Sequence, residues 1–308
     1  MKSSIAGLIG IIALALLVAG HSLGLEYAVG VSMALAVTFG YGWPHYLAIP
    51  AKKTLGTVIA LTGALAALTA GLSAGKDYLS WTAIYIALGF GAIMVVQLIR
   101  GTGQKRRLES TLGAGAGVAM AGFACGWVAS FRFLGEPGMT AIVAISAAVA
   151  LLAGMLPWPD RVAAPLAIIL AVLAGPLAAL VFSDVRIVPA AVLAIVVASI
   201  IAAFRRLRTL GTQLAGDAMR DARAADELIG EVSVHISAAE TPAETATEAP
   251  AEAAAQSPSE TPVESPAQAP REAPALTPGR IFGEVAAALA PIVSIGSVVY
   301  FVEKILLS

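Results

Sequence analysis

Eight apolar stretches, each about 20 residues long and separated from the next by a short break, fill the chain between residues 5 and 204. A helix of that length crosses the ~30 Å hydrocarbon layer of a bilayer, because all of its backbone hydrogen bonds are satisfied within the segment. The eight stretches are 5–23, 26–43, 55–74, 79–99, 112–133, 139–156, 162–182 and 187–204. The pattern predicts an all-α polytopic membrane protein with an eight-helix transmembrane bundle over residues 1–208.

The composition excludes several other classes of protein. Of the 308 residues, 58% are hydrophobic and 13% are charged, whereas a soluble domain has about 45–50% apolar and about 25% charged residues. We therefore exclude an ordinary soluble enzyme and a nucleic-acid-binding protein. Cys125 is the only cysteine, so a disulfide-stabilised secreted domain is excluded as well.

The basic residues predict how the chain is oriented. Lysine and arginine in short loops resist translocation and stay in the cytoplasm. With a cytoplasmic N-terminus, three basic residues lie on the outer side and eleven lie on the cytoplasmic side: Lys2, Lys52, Lys53, Arg100, Lys105, Arg106, Arg107, Arg161, Arg205, Arg206 and Arg208. We expect a multi-pass protein of the plasma (cytoplasmic) membrane, and the Ala/Pro-rich composition indicates a bacterial source.

A ninth apolar stretch follows near the C-terminus, at 285–302, within a segment 280–308. Pro291 and Gly296 interrupt it, so a re-entrant or surface-lying helix is the alternative to a crossing. We favour a ninth transmembrane helix, which would put the C-terminus outside.

Two halves of the bundle carry matching sequence features. Stretches 2 and 6 both end in a Trp-Pro step, at Trp43-Pro44 and Trp158-Pro159, and stretches 4 and 8 both run into basic clusters. This suggests parallel repeats over 1–107 and 108–208, as in some transporter folds. The alternative is that any cytoplasmic interface favours Trp, Pro and Arg.

Two segments of different character lie between the eighth and ninth stretches. Residues 209–236 repeat apolar side chains at three- and four-residue steps, which predicts a cytoplasmic amphipathic helix. Residues 237–279 hold eight of the 17 prolines and seven acidic residues. Such a Pro/Ala/Glu-rich linker buries too little apolar surface to fold and is predicted to be disordered. It is either a tether for the ninth helix or the product of neutral drift.

The sequence offers little catalytic chemistry. The three histidines stand alone, and neither a metal-ligand spacing nor a nucleophile motif occurs. Ionisable side chains deep in a span are functional candidates because they are expensive there, and no stretch has one near its centre. We expect no enzymatic activity, no catalytic residues, no cofactor and no metal.

Polar residues at the outer ends of the stretches form one candidate site. We predict an outer-face polar vestibule, for a lipid headgroup or a partner, from His21, Glu26, Asp77, Arg132 and Glu136. The alternative is that these are ordinary interfacial loop residues.

Aromatic and basic residues at the inner ends of the second and third stretches form a second candidate site. An aromatic-basic cluster suits an anionic lipid headgroup, and we predict an inner-face lipid platform from Trp43, His45, Tyr46, Lys52 and Lys53. The alternative is simple anchoring at the membrane interface.

Two functional hypotheses remain. The first is a non-enzymatic integral membrane scaffold or anchor that contacts a protein partner through its cytoplasmic tail. The second is a permease or flippase-like transporter of an apolar or amphipathic solute. The lipid bilayer, including its anionic lipids, is the expected partner in both hypotheses, and neither one fixes an oligomeric state.

Overall fold

A computed structural model of the protein describes residues 2–49, 51–75, 77–100, 107–135, 137–156, 158, 160–182, 187–210, 213, 220 and 278–307. Within these ranges every regular element is an α-helix. The helices are α1 Lys2–Leu23, α2 Leu25–Tyr46, α3 Lys52–Leu72, α4 Thr82–Ile99, α5 Arg107–Phe123, α6 Cys125–Leu134, α7 Gly138–Met155, α8 Asp160–Val181, α9 Ile187–Leu210 and α10 Pro278–Leu307.

Eight segments of the described chain are long and apolar enough to cross a membrane. They lie in α1, α3, α4, α7, α8, α9 and α10, and in the continuous stretch Leu108–Leu134 formed by α5 and α6. The predicted fold class, including the C-terminal transmembrane helix, is confirmed. Helix α2, predicted as a span, is not among the eight. It has 22 residues, but Glu26 near its start and the polar and aromatic residues up to Tyr46 lower its hydropathy.

The stretch predicted at 112–133 is divided into two helices at Ala124. The Ala124 N–H donates to the Ala121 carbonyl and the Trp127 N–H to the Ala124 carbonyl, both at 3.2 Å. These three-residue steps tighten the backbone locally in the manner of a 3₁₀ turn. The carbonyl of Phe123, at the end of α5, accepts a hydrogen bond from the Ser297 hydroxyl of α10 at 2.9 Å.

Helix α10 is the core helix of the bundle. It packs against α1, α2, α5 and α6, and 78% of its apolar segment is buried, compared with 22% for α4 and 28% for α8. Leucines on α4 and α8, such as Leu88 and Leu173, are exposed. Many of the buried apolar residues are alanines, whose small side chains let neighbouring helices pack closely.

Helix α10 runs from one end of the bundle to the other. At its start, Gly279 and Gly283 lie against His45 and Tyr46 at the end of α2. Near its end, Lys304 contacts Asp77 in the α3–α4 loop, with 3.4 Å between Nζ and Oδ1. The helix continues through Pro291, which excludes the re-entrant alternative.

Two glycines allow α10 to approach its neighbours closely. A side chain at Gly126 of α6 would fall on the backbone nitrogen of Ser297, and one at Gly42 of α2 would fall on the carbonyl oxygen of Phe282. Only glycine leaves room for these backbone contacts, which are the usual means of tight helix packing in membranes.

The structure describes only a small part of the predicted segments 209–236 and 237–279. Helix α9 continues through the basic cluster Arg205–Arg208 as far as Leu210. The rest of the amphipathic segment 209–236, apart from residues 213 and 220, lies outside the described residues, as does 237–277. Helix α10 begins at Pro278, so the last two residues of the predicted linker are helical. The parallel repeats 1–107 and 108–208 stay a prediction.

Candidate functional site

One end of the bundle gathers the ends of α1, α6 and α10 and the α3–α4 loop, and we call it the polar end. Its residues are His21, Asp77, Tyr78, Ser130, Arg132, Tyr300, Glu303 and Lys304. The other end, where α2 finishes and α3 and α10 begin, is called the basic end because Lys52, Lys53 and Arg280 lie there.

Glu303 is the unusual residue of the polar end. Its side chain is 0% exposed, because it follows Val299 and Tyr300 at four- and three-residue spacing on the inward face of α10. Within the described ranges, neither carboxyl oxygen has a hydrogen-bond partner. Burying a charged carboxylate without a partner carries a large free-energy penalty.

Ser130 of α6 is the polar group beside that carboxyl. It is 1% exposed, in a helix buried continuously from Cys125 to Ser130. The two side chains are not in hydrogen-bond geometry, and among the described residues the Ser130 hydroxyl also has no partner. Two adjacent buried polar groups are therefore unsatisfied.

His21 of α1 is buried against α6. Its Nδ1 lies 2.7 Å from the Leu17 carbonyl oxygen and its Nε2 lies 3.0 Å from the Trp127 carbonyl oxygen, and its ring meets Trp127 and Phe131 edge-on. Both acceptors are carbonyls, whereas a neutral imidazole has only one N–H. Which of the two carbonyls accepts a hydrogen bond from the ring therefore depends on its tautomer.

Arg132 of α6 closes the end of α3. Its Nη1 lies 3.0, 3.1 and 2.6 Å from the carbonyl oxygens of Ala70, Gly71 and Ser73. The last carbonyls of a helix have no donor within the helix and carry partial negative charge, so a guanidinium is well suited to cap them. The same guanidinium lies 4.6 Å above the ring of Tyr78.

An exposed ion pair lies at the surface of the polar end. The side chains of Lys304 and Asp77 are 44% and 83% exposed, so the pair contributes little to stability. Beneath it, the buried Tyr300 meets Tyr78 and Phe133 edge-on, with ring centroids 6.4 and 6.1 Å apart.

The structure places the predicted vestibule residues at this end in different surroundings. His21 and Arg132 are both held to backbone carbonyls, while Asp77 is tied to α10 through Lys304. Glu26 is exposed on α2, and Glu136 lies outside the described residues. That the vestibule takes a headgroup or a partner stays a prediction.

The residues of the predicted lipid platform are placed at the basic end. Lys52 and Lys53 are exposed at the start of α3, and His45 is half-buried. Trp43 is 8% exposed. Its indole N–H donates to the Gly113 carbonyl at 2.8 Å, and its ring lies 5.2 Å from that of Phe39 and 5.6 Å from that of Tyr46. That this cluster binds lipid stays a prediction.

Sequence reasoning misses Glu303 as a site residue, because Glu303-Lys304 has the form of a charged pair that flanks the ninth stretch. The signal that identifies it is its spacing from Val299 and Tyr300 combined with the small residues of α6. Gly126 and Ser130 bring α10 close enough to bury a carboxyl.

Among the described residues, Cys125 and the remaining acidic and histidine side chains form no further site. Cys125 is buried, with its sulfur 3.1 Å from the Thr82 hydroxyl oxygen. In the part of the chain that the structure describes, three or more His, Cys, Asp or Glu residues do not come together in a metal-binding group. Comparisons with family models, with curated proteins and with solved structures found no match to this chain.

Proposed function

We propose that this protein is a non-enzymatic membrane scaffold or anchor. The observation that carries the proposal is the position of α10, whose backbone lies directly against α6 at Gly126 and against α2 at Gly42. Such contacts make the interior rigid, because α10 cannot slide along α6 or α2 without a steric clash.

The location and partners belong to the same proposal. The protein lies in the plasma membrane of a bacterium with its N-terminus in the cytoplasm, supported by the concentration of lysine and arginine at the basic end. The tail after α9 contacts a protein partner, and Lys52 and Lys53 attract anionic lipids.

A permease is the second candidate function, and Glu303 favours it. Buried carboxyl groups without a partner are typical of proteins that couple transport to protons or ions. A permease must alternate between two arrangements of its helices, whereas a scaffold keeps one.

Distance measurements between spin labels separate these two functions. Leu88 of α4 and Leu173 of α8 are both exposed on the bundle surface, so cysteines there, in a Cys125→Ser background, carry labels without disturbing the interior. The scaffold predicts one narrow distance distribution that is the same at acidic and alkaline pH and with or without Na⁺. Two distance populations whose proportions change with pH or with Na⁺ would contradict the scaffold and support the permease.

A further inference from the structure

The carboxyl of Glu303 and the hydroxyl of Ser130 lie side by side inside the bundle, and within the described residues neither has a hydrogen-bond partner. We propose that Glu303 and Ser130 form a binding site for a small monovalent cation, a proton or Na⁺, which neutralises the carboxylate.

The surroundings of Glu303 leave the charge uncompensated. The neighbouring buried side chains on α10 are Val299 and Tyr300, and the rings around Tyr300 are those of Tyr78 and Phe133. A carboxylate in such a place loses its hydration without gaining a partner. Buried polar groups in folded proteins are nearly always satisfied, so an occupant that supplies positive charge is the simplest remedy.

Charged and titratable groups on the elements around α10 are engaged elsewhere. The guanidinium of Arg132 is held by three carbonyls of α3, and His21 is held by the carbonyls of Leu17 and Trp127. Lys304 contacts Asp77, Glu26 of α2 is exposed, and His45 and Glu109 lie toward the basic end. Among these described groups, none makes a hydrogen bond or ion pair with Glu303.

The chemistry of the two side chains suits both occupants. A protonated carboxyl is a hydrogen-bond donor, and the Ser130 oxygen is an acceptor, so one proton satisfies both groups. Carboxylate and hydroxyl oxygens are also the hard ligands that cations such as Na⁺ prefer.

The site lies close to water. Lys304, the next residue of α10, is partly exposed, and its partner Asp77 is largely exposed. Glu303 is therefore one residue from the exposed surface of the polar end, and the proposed site does not depend on whether the protein is a scaffold or a permease.

The test uses the full-length protein purified in detergent. The midpoint of thermal unfolding is measured across a pH series in choline chloride, and again at each pH with NaCl in place of choline chloride. Because the empty carboxylate is unfavourable in the folded bundle, we expect the midpoint to fall as pH rises in choline chloride. If the occupant is a proton, NaCl gives the same profile, whereas if it is Na⁺, NaCl restores the midpoint at alkaline pH.

Glu303→Gln should remove the dependence of the unfolding midpoint on pH and Na⁺, because the amide is neutral at every pH. The control Glu26→Gln, at an exposed position, should retain that dependence. If Glu303→Gln does not fold, Ser130→Ala is compared with Ser294→Ala, whose hydroxyl is bonded within α10 to the Ala290 carbonyl. Ser130→Ala should shift the profile along the pH or Na⁺ axis and Ser294→Ala should not. A wild-type profile independent of both pH and Na⁺ would overturn the proposal. So would an unchanged dependence in Glu303→Gln or, where that variant does not fold, in Ser130→Ala.

Discussion

Individual residues set how closely the helices of this bundle approach one another. Gly126 lies against the Ser297 backbone, whereas at Gly30, also in a helix, no described atom beyond the adjacent turns of its own helix lies within 4 Å of the position that a Cβ would take. Gly126→Ala should lower the free energy of unfolding by about 1–3 kcal/mol, as overpacking of a well-packed interior does. Gly30→Ala should leave it unchanged or slightly higher. Titration with a denaturing detergent measures both, and equal effects of the two substitutions would show that α6 and α10 do not touch at this point.

Arg132 stabilises the bundle by capping the last carbonyls of α3. Arg132→Met keeps the aliphatic stem but leaves the carbonyls of Ala70, Gly71 and Ser73 without their donor, which should lower the free energy of unfolding by about 1–3 kcal/mol. Asp77→Asn, which removes only the exposed pair with Lys304, is the control and should have little effect. The same detergent titration compares them, and a larger loss in Asp77→Asn than in Arg132→Met would be inconsistent with the capping role.

At the scale of helices, the linker should be dispensable for folding. Residues 240–276 contain no aromatic and few large aliphatic side chains, so their deletion removes no apolar contact that the bundle needs. About 30 residues remain between α9 and α10, most of them in the predicted amphipathic segment 209–236. We expect the deletion variant to elute as one sharp peak in size-exclusion chromatography with an unchanged thermal midpoint. Aggregation of that variant would show that the segment contributes to the fold.

Most of the helices could be predicted from the sequence, because length and hydropathy decide what crosses a bilayer. The interior arrangement could not be predicted. Ala124 gives no signal of a break, since alanine favours helices. Trp43 fits an interfacial residue in the sequence, yet its N–H reaches Gly113, which is distant in the chain. Glu303 is at the end of an apolar stretch, and its burial depends on the packing of α6 against α10.

At the scale of the whole molecule, the distribution of basic residues predicts which side faces the cytoplasm. Single cysteines at positions 2, 76, 240 and 308 in a Cys125→Ser background can be labelled with a membrane-impermeant reagent on intact cells. We expect labelling at 76 and 308 and protection at 2 and 240 until the cells are lysed. Labelling at positions 2 and 240 in intact cells would show that the protein has the opposite orientation.

The central claim is that α10 crosses the whole bundle as its core helix. Two double-cysteine variants in the Cys125→Ser background test it at opposite ends of α10, each with a specific protease site inserted between residues 250 and 251. One variant is His45→Cys with Phe282→Cys, joined by a bismaleimide, since the centroids of the two rings lie 6.3 Å apart. The other is Asp77→Cys with Lys304→Cys, joined by a short bismaleimide.

After the protease cut, we expect the C-terminal fragment to stay attached in both variants on a denaturing gel. If the fragment stays attached in the first variant and is released in the second, α10 enters the bundle without crossing it, and that result would contradict the central claim.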